Sequence, residues 1–148
     1  MLFRSIHFNW GLHDLKVITN GVRRIPPAIY EANLRELVRR LRTTEAKLIW
    51  ASTTPVPAPT SKLGSIADDV PVYNAAAKKV MDENGVAIDP LYEFILPHCA
   101  KVQKPQNVHF TEEGYELLAT QVAASIEAAL PKTVSEKNAG AQGKKPDP

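Results

Sequence analysis

The sequence predicts an α/β domain built on a parallel sheet with helices on its faces. Three observations predict it. Short runs of strand type alternate with longer stretches of helical apolar spacing, those stretches carry start and stop signals, and 148 residues at 44% apolar and 23% charged fit one ordinary domain. The domain is expected over residues 1–130, with residues 131–148 as a disordered tail rich in Lys, Gly, Ala and Pro.

The first strand is expected at Ser5 to Asn9, with Ile6 and Phe8 on one face and Gly11 as the turn that ends it. A polar stretch, Thr19 to Arg24, follows. Pro26-Pro27 then opens an amphipathic helix whose stripe is Ile29, Leu34, Leu37, Val38 and Leu41, opposite Arg35, Glu36, Arg39 and Arg40. Ala46 to Ala51 reads as a buried strand, and Ser52 to Asp69 as a long proline-rich loop of the kind that carries function. Helical spacing returns from Val70 to Asn84 through Val72, Tyr73, Ala76, Val80 and Met81, and Asn84-Gly85 stops it. Val86 to Ile88 is a third, short strand. Asp89-Pro90 is expected to cap a short helix through Leu91, Phe94 and Ile95 that Pro97 ends. Thr111 caps the last helix, with Leu117, Leu118, Val122, Ile126 and Leu130 as its inner stripe.

Charge and composition exclude several classes. The net charge of +2 is accounted for beyond Leu130 by Lys132, Lys137, Lys144 and Lys145 against Glu136 and Asp147, so the body is near neutral and no nucleic-acid partner is expected. No window approaches the ~18 consecutive apolar residues of a membrane span. Cys99 is the one cysteine, which excludes an intramolecular disulfide and a cysteine-based zinc cage. His7, His13 and Asp14 have no recognised ligand spacing, and neither a metal nor another cofactor is expected. Met1 to Ser5 lacks the charged leader and apolar stretch of a signal peptide and reads as a strand already under way, so further sequence, with any export signal, is expected upstream.

Two segments carry the polar side chains that chemistry needs. His7-Phe8-Asn9-Trp10-Gly11-Leu12-His13-Asp14 is a strand end and turn, the place where open α/β sheets bind ligands. Read alone, it is a turn in which Asp14 caps a helix and His13 is exposed. Gln106-Asn107-Val108-His109-Phe110-Thr111 puts a histidine just before a helix, where it can act as general base.

Together these segments resemble the SGNH hydrolases, also called GDSL-like, a family of serine esterases and lipases. The family's third block, Gly-x-Asn-Asp, is similar to Gly11-Leu12-His13-Asp14, and its fifth, Asp-x-x-His before a helix, is similar to Gln106-Asn107-Val108-His109. The likeness extends through Leu48-Ile49-Trp50-Ala51, Val72-Tyr73-Asn74 and Gly114-Tyr115, and spans residues 5–130. It implies a flavodoxin-like three-layer α/β/α fold, here N-terminally truncated to about three strands, and hydrolysis of a small-molecule or carbohydrate ester, an acetyl ester among them. It also implies that His109 is the base and that Gly11, His13 and Asp14 lie at the oxyanion and binding site. Two departures stand out. His13 occupies the oxyanion-asparagine position, and the triad acid falls on Gln106 with Asn107 beside it, both neutral amides. The Gly-Asp-Ser block that would bring the nucleophile is not found, since Ser5 stands in no such context.

Two other readings compete. The chain could be a catalytically inactive domain of this fold that binds a small ligand or partner, as the neutral amides suggest. Alternatively it draws a nucleophile from the proline-rich loop, at Ser52, Ser61 or Ser65, although none lies in a Gly-x-Ser-x-Gly elbow.

Overall fold

The computed structural model describes residues 4–18, 22–58 and 69–130. The tail expected at 131–148, and Ser61 and Ser65, lie outside the described residues. Three parallel strands, β1 (Ser5–Phe8), β2 (Lys47–Ala51) and β3 (Ala87–Asp89), form an open sheet in the order β1-β2-β3. The α/β prediction therefore holds. His7 pairs with Ile49 and Phe8 with Trp50, while Trp50 pairs with Ile88 and Ala51 with Asp89. Side chains alternate along each strand, so Phe8, Leu48, Trp50 and Ile88 share one face and His7, Ile49, Ala51 and Asp89 the other.

Helices α1 (Pro27–Arg42) and α2 (Asp69–Glu83) cover the first face. Tyr30, Leu34 and Val38 from α1 and Val70, Tyr73, Ala77, Val80 and Met81 from α2 enclose Phe8, Leu48 and Trp50 in the main core. Two members of the expected stripes point elsewhere: Ile29 and Val72 are about half exposed. Each lies one residue, about 100° of helix rotation, from a position that faces the sheet, Tyr30 beside Ile29 and Tyr73 beside Val72, both buried. The α2 stop is as expected. Gly85 adopts φ of 60°, its N–H bonds the Asp82 carbonyl at 3.2 Å and the Val86 N–H bonds Met81 O at 2.9 Å, a Schellman closure.

Two expectations after β3 are corrected. Asp89 caps nothing: its carboxylate is fully buried, taking His7 Nε2 at 2.8 Å and Gln121 Nε2 at 3.0 Å. A buried carboxylate is tolerable only with such partners, and these were available on a neighbouring element that local sequence does not reveal. Pro97 does not end the helical path either. Helix α3 (Leu91–Ile95) runs through a 3-10 turn at Leu96–His98 into α4 (Cys99–Val102), proline being acceptable in a first turn.

Helix α5 (Glu112–Ala129) crosses the second face, and Thr111 Oγ1 accepts the Gly114 N–H at 3.3 Å as its cap. Leu117 and Leu118 pack against Ile95, Val102 and Phe110. The stripe expected to be internal, Leu117 to Leu130, is only half-buried, and Gly114 alone is buried on this helix. Among the described residues β1 pairs on one side only, so α5 overhangs a sheet with an open edge. No helix among the described residues is long and apolar enough to cross a membrane.

An unpaired strand edge beside a half-covered helix invites pairing with other chains. Sedimentation of the purified chain over a wide concentration range should show self-association that grows with concentration. A monomer at every concentration would mean that this edge is not adhesive.

Candidate active site

The site is assembled at the C-terminal rim of the sheet around residues 52–57, the extended continuation of β2. Ser52 N bonds the Asp89 carbonyl at 3.0 Å, and Asn9 Nδ2 bonds the Ala51 carbonyl at 2.6 Å. Thr53 exchanges two 2.9 Å bonds with the buried Asn74 side chain of α2, its N–H to Oδ1 and its carbonyl from Nδ2. The segment is thus fixed from three sides.

The Gly11-Leu12-His13-Asp14 turn closes on this segment. Asp14 and Leu15 N–H groups bond the Gly11 carbonyl at 3.0 and 3.2 Å, and the fully buried Leu15 anchors the turn. Asp14 therefore stabilises a turn and caps no helix. Gly11 is required sterically: a Cβ there would stand 2.2 Å from Thr53 Oγ1 and 3.2 Å from the Tyr30 hydroxyl. Tyr30 itself donates to the Trp10 carbonyl. Burial raises the Tyr30 and Asp14 pKa values above their ordinary levels, while His13 and Arg24 oppose the Asp14 shift. His13 is exposed.

The second predicted segment stands on the same rim. Residues 103–110 form a narrow loop closed by the Gln103–Phe110 bridge, by Lys104 N to the His109 carbonyl at 3.0 Å and by Thr111 N to the Val102 carbonyl at 2.8 Å. Gln103 Nε2 bonds the Pro55 carbonyl at 2.7 Å. Through Thr53 the Gly11 turn, and through Pro55 the His109 loop, are joined to one segment, and Leu12 and Val108 border the same core. A groove of about 430 Å³ runs between Pro55–Pro57 and Cys99–Pro105 beside this loop.

Gln106 occupies the turn of the loop at φ 52°, exposed, and its side chain bonds nothing among the described residues. Asn107 is the residue that meets the histidine: its Oδ1 lies 2.7 Å from His109 Nδ1 and also accepts the His109 backbone N–H at 3.0 Å. That second bond fixes the amide orientation, since a backbone N–H requires an oxygen. Nδ1 then carries the ring proton, and Nε2 keeps its lone pair. Among the described residues the His109 ring has no other hydrogen-bond partner, and Ser52 Oγ accepts the Tyr92 N–H at 2.9 Å.

The sequence reading missed the rim supports Thr53, Asn74 and Gln103. Thr53 and Asn74 lie in segments that it marks, and Gln103 lies in none. It also missed the His7–Asp89–Gln121 network beneath α5. Among the described residues no group of three or more His, Cys, Asp or Glu is placed to hold a metal ion.

A parallel sheet sandwiched by helices, with a tautomer-fixed histidine on its C-terminal rim, defines an α/β protein of hydrolase architecture. The chain belongs to the GDSL-like Lipase/Acylhydrolase family, whose pattern it matches over residues 8–117. Solved structures agree on the fold. The lipase/acylhydrolase from Enterococcus faecalis superimposes with a TM-score of 0.71 at 19% identity, over 88% of this chain and 65% of that one. An acetyl xylan esterase from Geobacillus stearothermophilus gives 0.65 at 14% identity, over 87% and 62%. A GDSL-like lipase from Bacteroides thetaiotaomicron gives 0.63 at 16% identity, over 86% and 63%. This chain therefore spans somewhat under two thirds of the length of these proteins. A comparison with curated proteins gives no match.

Two substitutions test the geometry. Gly11→Ala should destabilise the fold by about 1–3 kcal/mol through overpacking, and Thr53→Ala in the same chain should restore part of that loss, because it removes the oxygen that the new methyl meets. Denaturant melts of the two single variants and the double variant measure the coupling.

Asp14 supplies a test with pH. Its folded-state pKa is raised by burial, so the protonated acid is favoured by folding. The associated stability is present below the unfolded pKa and is lost as pH rises through the folded one. Asp14→Asn should therefore raise the melting temperature at neutral pH and leave it nearly unchanged at pH values below the ordinary aspartate range.

Proposed function

We propose that this chain provides the base and oxyanion side of a serine ester hydrolase acting on small carboxylic esters, with acetyl esters of carbohydrates as the first class to examine. The observation that carries the reading is the His109–Asn107 pair. Asn107 Oδ1 holds Nδ1–H at 2.7 Å, which leaves Nε2 free to accept the proton of an attacking hydroxyl. Family membership supports ester hydrolysis, and the acetyl choice draws on the neighbour named as an acetyl xylan esterase.

In this mechanism a serine hydroxyl gives its proton to His109 Nε2 as its oxygen attacks the ester carbonyl. The backbone N–H of Gly11 and a ring N–H of His13 stabilise the oxyanion, and Asp14 holds the turn that presents them. Collapse of the tetrahedral intermediate returns the proton to the leaving alcohol, and water then repeats the sequence to release the acid. The groove beside Pro55 and Gln103 receives the body of the ester.

On this reading the nucleophile belongs to a Gly-Asp-Ser segment that these 148 residues do not contain. Ser52 is unsuited to the task because it is buried, at 3% exposed, away from an incoming ester. Asn107 in place of a carboxylate keeps the histidine in the productive tautomer but gives no negative charge to the imidazolium. In a serine-protease triad an amide for the acid lowers kcat about 10⁴-fold, largely through the wrong tautomer, and the geometry here avoids that part of the loss. The neutral amides favour a second reading, a binding domain of this fold without turnover.

The tautomer is checked directly. Imidazole ¹⁵N shifts of neutral His109 should report Nδ1–H as the dominant form, and Asn107→Ala should give a mixture. A dominant Nε2–H form in the parent chain would remove His109 as base.

Turnover decides between the readings. The 148-residue chain alone should give no hydrolysis of 4-nitrophenyl acetate above buffer, and the chain extended upstream along its gene to include a Gly-Asp-Ser segment should hydrolyse it, with loss in His109→Ala. Absence of that segment from the gene, or an inactive extended protein, would support the binding domain. Hydrolysis by the chain alone that vanishes in Ser52→Ala would instead place the nucleophile in the loop after β2.

A further inference from the structure

Two buried tyrosines hold loop carbonyls, and the peptides they hold differ in one respect. Tyr30 of α1, 2% exposed, donates its hydroxyl to the Trp10 carbonyl. Tyr73 of α2, fully buried, donates to the Ile25 carbonyl. The peptide that begins at the Trp10 carbonyl ends in the Gly11 N–H, whereas the one that begins at Ile25 ends in Pro26, which has no N–H. As anchors the two bonds are alike. Only the Tyr30 bond acts on a donor.

That donor has a fixed direction. In a trans peptide the C=O and N–H point opposite ways, so a carbonyl turned to Tyr30 turns the Gly11 N–H away from it. The Gly11 carbonyl is used by the turn, accepting the Asp14 and Leu15 N–H groups at 3.0 and 3.2 Å, while the Gly11 N–H meets no acceptor among the described residues. Thr53 Oγ1 and the Tyr30 hydroxyl close on the Gly11 Cα, where a Cβ would stand 2.2 and 3.2 Å from them, so the peptide has little room to rotate. A hydrogen bond to its carbonyl also polarises a peptide and strengthens its N–H, by about 10–30% per bond. Burial raises the Tyr30 pKa, so the hydroxyl keeps its proton at neutral pH.

We infer that Tyr30 is a positioning residue of the oxyanion site: through the Trp10 carbonyl it aims and strengthens the Gly11 N–H that meets the negative oxygen. The inference rests on the reading of Gly11 as an oxyanion donor, and it gives that donor a support on α1, outside the turn.

Acetate is the probe, its carboxylate oxygen standing for the oxyanion, titrated into the 148-residue chain against sodium chloride at constant ionic strength. The Gly11 amide signal in a proton–nitrogen spectrum should shift saturably. Tyr30→Phe, which removes only the hydroxyl, should weaken that response several-fold, and Tyr73→Phe should leave it at parent strength despite a similar drop in melting temperature. No saturable shift at Gly11 in the parent, or equal responses in the two variants, would overturn the inference. If Tyr30→Phe loses the dispersed spectrum of the parent, 3-fluorotyrosine in place of every tyrosine keeps the rings and makes each hydroxyl a stronger donor. Acetate should then bind more tightly at Gly11, and unchanged or weaker binding sinks the idea. In an extended protein that turns over 4-nitrophenyl acetate, Tyr30→Phe should lower kcat roughly tenfold with KM nearly constant, short of the 10²–10³-fold loss on removing a donor outright. Tyr73→Phe should lower neither, and equal losses in the two variants would count against the role. An extended protein without turnover, whose Gly11 amide still answers acetate through Tyr30, would remove the ester reading and leave Tyr30 as the support of an anion-binding N–H.

Discussion

The constraint on which the rim depends is the fixing of residues 52–57. A chain leaving a buried strand has no sheet partner for its next peptide groups, and in the interior each unmet group would cost about 1–3 kcal/mol. Here Asn74 substitutes for a strand, taking the Thr53 N–H and giving to the Thr53 carbonyl in the manner of a peptide ladder. Gln103 does the same for the Pro55 carbonyl from the opposite side. Both supports are side-chain amides, which alone among neutral side chains offer donor and acceptor at peptide-like spacing. The Gly11 turn and the His109 loop are then placed by reference to this segment, one by steric contact with Thr53 and the other by the Gln103 bond.

The two faces of the sheet are built by different means. On the α1–α2 face Trp50, Tyr30 and Tyr73 are fully buried, and both tyrosine hydroxyls reach loop carbonyls, Trp10 and Ile25, so aromatic bulk and loop anchoring come from the same side chains. On the α5 face the central contact is polar: Asp89 is enclosed by His7 and Gln121, and Gln121 also bonds Ser125 at 3.2 Å. A buried carboxylate contributes little net stability, but its partners must be in register for it to be buried at all. The network therefore sets how α5 lies across β1 and β3 while its apolar stripe stays half open.

Features governed by local chemistry were legible in the sequence. Gly85 had to stop α2 because a left-handed residue closes a helix, and Thr111 had to start α5 because its hydroxyl replaces a missing acceptor. Alternating elements gave the parallel sheet, and the first polar segment was rightly placed at a strand end, whereas the second lies in the loop between α4 and α5. Features governed by tertiary contact were not. Asp89 followed by Pro90 has the local form of a cap, and only His7, 82 residues earlier, draws the carboxylate inward. The choice of Tyr30 over Ile29 was hidden because tyrosine buries its ring only where a carbonyl waits for its hydroxyl. Gln106 had the spacing of the triad acid, but its position in a left-handed turn points that logic one residue onward, to Asn107.

That displacement changes what holds the histidine. A carboxylate three residues before a histidine orients it by charge and survives some looseness, because the attraction acts over distance. An amide acts only through a hydrogen bond of good geometry, so Asn107 must be held as firmly as it holds. The loop meets this requirement within itself: Asn107 N bonds the Lys104 carbonyl at 3.1 Å, Lys104 N bonds the His109 carbonyl, and His109 N returns to Asn107 Oδ1. This closed circuit of three bonds ties the amide, the imidazole and the loop backbone together, and the Gln103 bond to Pro55 joins the circuit to the sheet. The tautomer of His109 is thereby tied to the backbone conformation of the loop, with no dependence on the ionisation of any neighbouring acid.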